Sequence, residues 1–306
     1  MKRAVSISIG SSKRDKSVQI ELLGETVQLE RIGTDGDIEK AARLYQELDG
    51  KVDAFGVGGT DLGLRVAGRW YRLHSIRKMV RFVRQTPLVD GTGLKGTLEP
   101  RVAQSLAEIS SRVGEKTALV TTAVDRWGLA EAALKAGYRC TFGDLIYSLG
   151  IPIPLHTARS IQILAAVLMP LATRLPFHWV YPTGESQGKR KPNYTQYFSQ
   201  ASVILGDCHY IYRNMPDDMR GKVIVTNTTT PEDVETFRKC GVRILITTTP
   251  VLEGRSFGTN MMEAAILAAA GRTEAVDYKR PGDYFAWMDQ MVDRLQLKPQ
   301  MQELWS

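Results

Sequence analysis

Cysteine is scarce in this chain: Cys140, Cys208 and Cys240 are the only three among 306 residues, far apart and without CxxC spacing. An odd, scattered set supports neither a disulfide framework nor a zinc site, and it suits a reducing, cytoplasmic setting. HExxH and GxxxxGK(S/T) are also missing. No metal site is therefore expected, and neither is a Walker-type phosphate loop. Long apolar runs are absent. The most apolar stretch, Ile161 to Leu175, contains Pro170 and Arg174, is too short to cross a bilayer and reads as a buried helix. Met1 to Ile9 alternates like a strand with no apolar h-region, so no signal peptide is expected and no membrane partner. The one run of like charge, Lys189-Arg190-Lys191, reads as a solvated loop, or as a mobile loop touching a phosphate.

What is present is ordinary globular composition, 43% hydrophobic and 24% charged, with a formal charge of +7. The dispersed excess of base suits an anionic small molecule better than nucleic acid. The length suits two domains. Residues 1–114 read as a smaller mixed α/β domain. It has strands around Val5-Ile7-Ile9 and Val18-Ile20-Leu22, a turn at Leu23-Gly24-Glu25-Thr26, and a helix opened by Asp35-Gly36-Asp37. A hairpin follows over Leu64 to Leu73, then a basic helix from Ser75 to Arg84 and a long helix from Glu99 to Val113. Residues 115–272 alternate strand and helix. Six strands are predicted at Thr117–Thr122, Arg139–Gly143, His178–Tyr181, Ser202–Gly206, Lys222–Asn227 and Arg243–Thr248. The fold expected is α/β, a doubly wound Rossmann-type parallel sheet preceded by the smaller domain. Residues 273–306 read as a helical segment packing back on the first domain.

In such a sheet ligands bind outside the carboxyl ends of the strands. The residues there are Thr121 and Thr122, Asp144, Asp207, Asn227 and Thr228, and Thr249. Short hydroxyl and carboxylate groups can reach phosphate or ribose oxygens without filling a cleft. The first turn lacks GxGxxG. Gly128 alone stands where the helix opens, and Arg126 could supply charge to a phosphate on the helix amides. Asp144 follows that turn by about twenty residues, the place of a ribose-binding carboxylate, which favours NAD over NADP; it could equally cap a helix. In the first domain Thr60 follows Gly58-Gly59, and Asp90 and Lys95 flank Gly91-Thr92-Gly93, where a lysine near an acid can pass the proton of a reacting alcohol. Arg255, Ser256, Thr259 and Asn260 gather polar groups at a helix start, as a substrate contact would. His209, just past a strand end, could act as acid or base.

With these residues assembled, the chain resembles a bacterial group labelled quinate 5-dehydrogenase, related by name to the quinate/shikimate dehydrogenases. The likeness covers most of the chain. It lies in Ser8-Ile9-Gly10-Ser11-Ser12-Lys13-Arg14-Asp15, in Val89-Asp90-Gly91-Thr92-Gly93-Leu94-Lys95, and in Thr249-Pro250-Val251-Leu252-Glu253-Gly254-Arg255-Ser256-Phe257-Gly258-Thr259-Asn260. The resemblance implies a substrate domain, a Rossmann domain and a closing helix, with hydride transfer between NAD(P) and a cyclic polyol acid. Lys95 and Asp90 are the counterparts of its catalytic pair. The expected function is thus an NAD(P)-dependent oxidoreductase acting on a small polar acid, with a homodimer among the assemblies allowed. A nucleotide-binding sensor without catalysis and a phosphotransferase of the acetate/sugar-kinase type are the alternatives.

Overall fold

The computed structural model describes residues 1–175, 190–249, 251–252 and 255–305. The predicted strand His178–Tyr181, the side chains of Arg255 and Ser256, and Lys189 lie outside the described residues. Arg190 of the basic run pairs with Asp217 at 2.8 Å. Two compact units result. The first takes the described residues of Met1–Thr97, Met169–Thr183 and Pro250–Leu297; the second takes those of Leu98–Leu168, Gly184–Thr249 and Lys298–Ser306.

The first unit is built on β1 (Lys2–Ser8), β2 (Lys16–Leu22), β3 (Glu25–Gly33), β4 (Ala54–Gly58) and, after the separate hairpin β5 (Gly63–Val66) and β6 (Arg69–Arg72), β7 (Leu88–Val89). The sheet order is β2-β3-β1-β4-β7, parallel except for β2. Leu23 and Gly24 both take positive φ (57° and 85°), which matches the twist of a two-residue hairpin turn. Helix α1 (Ile38–Leu48) starts where the Asp37 carboxylate accepts the Lys40 N–H at 2.8 Å, an N-cap. Its buried Ala41, Ala42 and Tyr45 face the sheet, and Tyr45 meets Phe55 edge-on. The basic helix expected over Ser75–Arg84 shrinks to a 3-10 turn, Ser75–Lys78. Its buried apolar residues, Ile76 and Met79, are three apart and need only that one turn. Helix α2 (Thr92–Glu108) begins at Thr92, well before the expected Glu99, because Asp90 Oδ1 accepts the Thr92 N–H at 2.9 Å. It leads into the second unit.

There the sheet runs β9-β8-β10-β11-β12-β15. Its strands are β8 (Thr117–Val120), β9 (Arg139–Phe142), β10 (Val203–Leu205), β11 (Val223–Thr226) and β12 (Ile244–Thr247), all parallel, with β15 (Gln300–Glu303) antiparallel on the β12 edge. Taken in chain order, the parallel strands lie 2-1-3-4-5, a doubly wound sheet. Strands with no exposed residues, such as Val203–Leu205 and Val223–Thr226, are what a sheet covered on both faces requires. The covering helices are α3 (Trp127–Lys135), α5 (Thr195–Gln200), α6 (Cys208–Asn214) and α7 (Pro231–Lys239), with α4 (Ala158–Ala172) between α3 and α5 in the chain. Phe198, Ile211 and Phe237 pack with Leu119, Ile204, Ile224 and Leu245 in one core. Helix α4, expected to be buried, buries Ile161, Ala165 and Met169 but exposes Ile163, Val167 and Leu171. An apolar helix seated through one stripe leaves the opposite stripe in solvent.

The chain then returns to the first unit through the short pair β13 (Val251–Leu252) and β14 (Arg255–Ser256), followed by α8 (Thr259–Ala270) and α9 (Tyr284–Arg294). The domain boundaries differ here from those read in the sequence. Helix α8, expected in the second domain, packs on β4, β1 and β3. Every residue from Met261 to Ala269 is buried, and Gly56 of β4 lets the helix close in, since a Cβ there would lie 3.0 Å from the Asn260 carbonyl oxygen. Residues 273–306 do not act as one segment either: α9 belongs to the first unit and β15 to the second. Among the described residues no helix is long and apolar enough to cross a membrane.

Candidate ligand-binding site

Crossovers that leave a strand toward opposite sides open a crevice at its carboxyl end. In the second unit that place is between β8 and β10, because β9 flanks β8 on the other side. The loops leaving β8 and β10 supply Thr121 to Arg126 and Gly206-Asp207. Arg126 is buried, and its Nη1 donates to Glu99 Oε1 at 3.0 Å and its Nη2 to Asp207 Oδ2 at 2.8 Å. Its Nε stands 3.2 Å from Asp125 Oδ2. Asn227, from the end of β11, donates through Nδ2 to the same Asp207 oxygen at 2.8 Å and accepts the Cys208 N–H through Oδ1 at 3.0 Å. Asp207 also accepts the His209 N–H at 3.0 Å, while the His209 side chain is exposed. Burial works against the Asp207 charge, but the Arg126 and His209 charges outweigh it and hold the carboxyl below its ordinary value.

The threonines are placed differently from one another. Thr121 Oγ1 donates to the Leu205 carbonyl at 3.4 Å. A Cβ on Gly206 would come within 2.0 Å of that hydroxyl oxygen, so only glycine lets the two loops meet. Thr122 is buried, and among the described residues its Oγ1 has no hydrogen-bond partner. Thr228 and Thr249 bond to each other at 2.7 Å. The structure thus brings Arg126, Asp207 and Asn227 into one network beside Thr122 and sets Thr228 with Thr249 in a pair.

Two residues proposed for a dinucleotide serve the fold instead. Asp144 is buried, and its two oxygens accept the Val124 N–H at 2.8 Å and the Ala123 N–H at 3.1 Å. Burial pushes its carboxyl up to about 6, against those hydrogen bonds. It occupies first-turn amides that a phosphate would need. Gly128 makes room for a side chain: a Cβ there would lie 2.6 Å from the Glu99 Cβ. Nor is Arg126 an open cation, since three carboxylates surround its one charge.

In the first unit the expected pairing of Lys95 with Asp90 is replaced. Lys95 Nζ sits 2.6 Å from Asp61 Oδ1. Asp90, buried, accepts the Leu62 N–H at 2.6 Å and the Thr92 N–H at 2.9 Å, so its oxygens hold two loops together. Thr60 is buried and donates to the Asp61 carbonyl at 3.3 Å. Thr259 seats against Gly91, where a Cβ would lie 2.6 Å from its Oγ1, and Asn260 Nδ2 donates to Ser6 Oγ at 2.7 Å. Both dock α8 on the sheet. Sequence reasoning missed Glu263, wholly buried, which accepts Tyr284 Oη at 2.6 Å, Tyr278 Oη at 2.8 Å and the Leu94 and Gly93 N–H groups at 3.1 and 3.2 Å. Burial and the neighbouring Asp90 charge push its carboxyl up to about 7, against those four donors. The signal was available: one acid stands inside the otherwise uncharged stretch Thr259 to Ala270.

Several solved structures are similar at low identity. A glucose-galactose binding protein from Geobacillus stearothermophilus is 8% identical, covering 99% of this chain and 97% of its own, with a TM-score of 0.37. A solute-binding protein from Bacillus halodurans C-125 with bound myo-inositol is 10% identical over 93% and 98%, also with a TM-score of 0.37. An NAD-dependent malic enzyme from Thermotoga maritima is 12% identical over 95% and 84%, again with a TM-score of 0.37. The similar structures are mostly sugar-binding proteins. This finding overturns the expectation of a quinate/shikimate-type oxidoreductase, together with its nucleotide-sensor and phosphotransferase alternatives, and the occupied first-turn amides agree with it. No curated protein matches. Residues 3–90 match the model of a domain of unknown function, DUF8753, and residues 93–304, well over half of the chain, match that of another, DUF8754. The chain belongs to the DUF8754 family.

Proposed function

We propose that the second unit binds a small, neutral, hydroxyl-rich molecule at the carboxyl ends of β8 and β10. The observation that carries this reading is the Arg126–Asp207–Asn227 network beside the unpartnered hydroxyl of Thr122. A guanidinium next to a carboxylate offers donors and acceptors side by side, which is what adjacent hydroxyls need, since each both donates and accepts. Charge argues against an anion. Glu99, Asp125 and Asp207 all stand against Arg126, so a phosphate or carboxylate reaching for that guanidinium meets carboxylates already there.

The test is calorimetric titration of the full chain with simple aldoses and cyclitols, beside NAD and a set of small amines. At least one neutral polyol is expected to bind saturably. Asp207→Asn removes one charged hydrogen-bond acceptor, and the loss of about 1.5–3 kcal/mol corresponds to roughly 10–100-fold weaker binding. Binding of NAD or an amine with none of any polyol, or a polyol affinity untouched by Asp207→Asn, would remove the reading.

A further inference from the structure

The first unit has a crevice of its own. Its parallel strands change side between β1 and β4, and the loops leaving those strands are Ile9-Gly10-Ser11 and Gly59-Thr60. We propose that these loops form an oxyanion site over Gly10, built to hold a phosphate group.

The bare α-carbon of Gly10 is the floor. A Cβ placed there would lie 3.0 Å from Arg14 Nη2, 3.1 Å from Arg31 Nη2 and 3.3 Å from Ser8 Oγ. Two guanidinium nitrogens and a hydroxyl therefore close over one glycine, nearer than a side chain there would allow. Asp15 pairs with Arg31 through one side of the guanidinium. It takes Nη1 at 2.9 Å and the Gly33 N–H at 2.6 Å, while Nη2 turns to Ser8 Oγ at 3.0 Å. Asp35 is committed to the Ser12 N–H at 2.8 Å. Arg14 is exposed, and among the described residues its guanidinium has no partner. Burial and the adjacent Arg14 charge work against the charge on Arg31, while Asp15 and Asp35 support it. Two cations held together in this way are relieved by an anion between them.

The donors complete the fit. Ser8 Oγ already accepts from Arg31 and from the Gly10 N–H at 3.1 Å, so its own proton is left to donate. The N–H groups of Ser11 and Gly59 find no acceptor among the described residues. Gly59 is exposed at φ +74°, and a Cβ on it would lie 3.2 Å from Ser8 Oγ and from the Gly10 nitrogen. Successive main-chain amides bared by glycine make an anion-binding concavity. Guanidiniums, a hydroxyl and amides arriving from different loops suit a tetrahedral group with three free oxygens better than a planar carboxylate.

The probe is inorganic phosphate, titrated into the full chain at constant ionic strength kept with chloride. A glycerol phosphate and an acetate arm run beside it. Saturable phosphate binding is expected, with at least tenfold loss in Arg14→Ala and in Gly10→Ala. Arg43→Ala, which removes an exposed arginine of α1, is expected to leave binding unchanged. Tighter binding of glycerol phosphate supports the site and marks its ligand as a phosphate ester. Equal binding supports it and marks free phosphate. Phosphate heat no greater than that of chloride, tighter binding of acetate, or wild-type affinity in Arg14→Ala would overturn the proposal. Arg126 and Asp207 belong to the other unit, so such a failure leaves the polyol reading standing.

Discussion

Replacing Arg126 with methionine keeps much of the side-chain volume and deletes the cation that Glu99, Asp125 and Asp207 share. Glu99 is 4% and Asp207 16% exposed in their side chains, so neither recovers full hydration when the guanidinium leaves. Removing one partner of a buried ion pair costs about 3–5 kcal/mol. For a domain of this size each kcal/mol moves Tm by about 2–4 °C, so the loss expected at pH 7.5 is on the order of 10 °C. The pH dependence identifies the cause. In the wild type the Asp207 carboxyl lies below its ordinary value. Its contribution is therefore present above the unfolded value and is lost only as pH falls through the lower, folded one. In Arg126→Met burial dominates, the carboxyls shift upward, and protonation relieves them as pH falls. The gap between the proteins should narrow from pH 7.5 to pH 5. Urea or thermal denaturation of both proteins at the two pH values, at one ionic strength, measures it. A loss under about 1 kcal/mol, or a gap as wide at pH 5 as at pH 7.5, would show that Arg126 is not the charge that holds these acids.

Two further substitutions test the fold around the sites. Glu263 has a folded value raised to about 7, so its contribution is complete below the unfolded carboxylate range and is lost as pH rises through 7; denaturation from pH 5 to 8 should show a slope that Glu263→Gln flattens, and equal slopes would contradict it. The amide should also cost about 1–3 kcal/mol at pH 5, because an NH2 in place of Oε2 cannot accept the Leu94 N–H that the neutral carboxyl oxygen still accepts. Gly206→Ala drives a methyl against Thr121 Oγ1, 2.0 Å away, and should lose about 1–3 kcal/mol; Thr121→Ala in the same chain should recover part of that loss, and strict additivity in a double-mutant cycle would argue against the clash.

Local chemistry was the legible part of the sequence. The Leu23-Gly24 turn and the Asp37 cap are each decided by residues within a few positions of one another. The alternation of strand and helix beyond residue 116 likewise exposed the doubly wound sheet. What stayed hidden depends on contacts distant in the chain. Lys95 was matched with Asp90, the acid nearest in sequence, but the oxygens of Asp90 are taken by the Leu62 and Thr92 N–H groups, and the lysine turns to Asp61. Helix α8 is apolar on every face, and such periodicity does not say which sheet it covers. Asp144 stood at the distance of a ribose acid, yet no spacing rule tells whether a carboxylate there faces a ligand or the amides of its own neighbouring loop.

The two crevices share a topology and differ in sign. In each unit the first strand sends its neighbours to opposite sides, and the loops leaving the carboxyl ends frame an opening. That much follows from backbone geometry, so the opening alone says little about what enters it. In the second unit the loop after β8 closes its amides on Asp144, and three acids surround Arg126. An anion gains little there, while hydroxyls find donors and acceptors together. In the first unit Arg14 and Arg31 meet over Gly10, with Asp15 on Nη1 of Arg31 and Asp35 on the Ser12 N–H. A dinucleotide fingerprint needs open amides and a free carboxylate in one sheet. Here Asp144 takes the first-turn amides of the second unit, and the arginines that could meet an anion stand in the first.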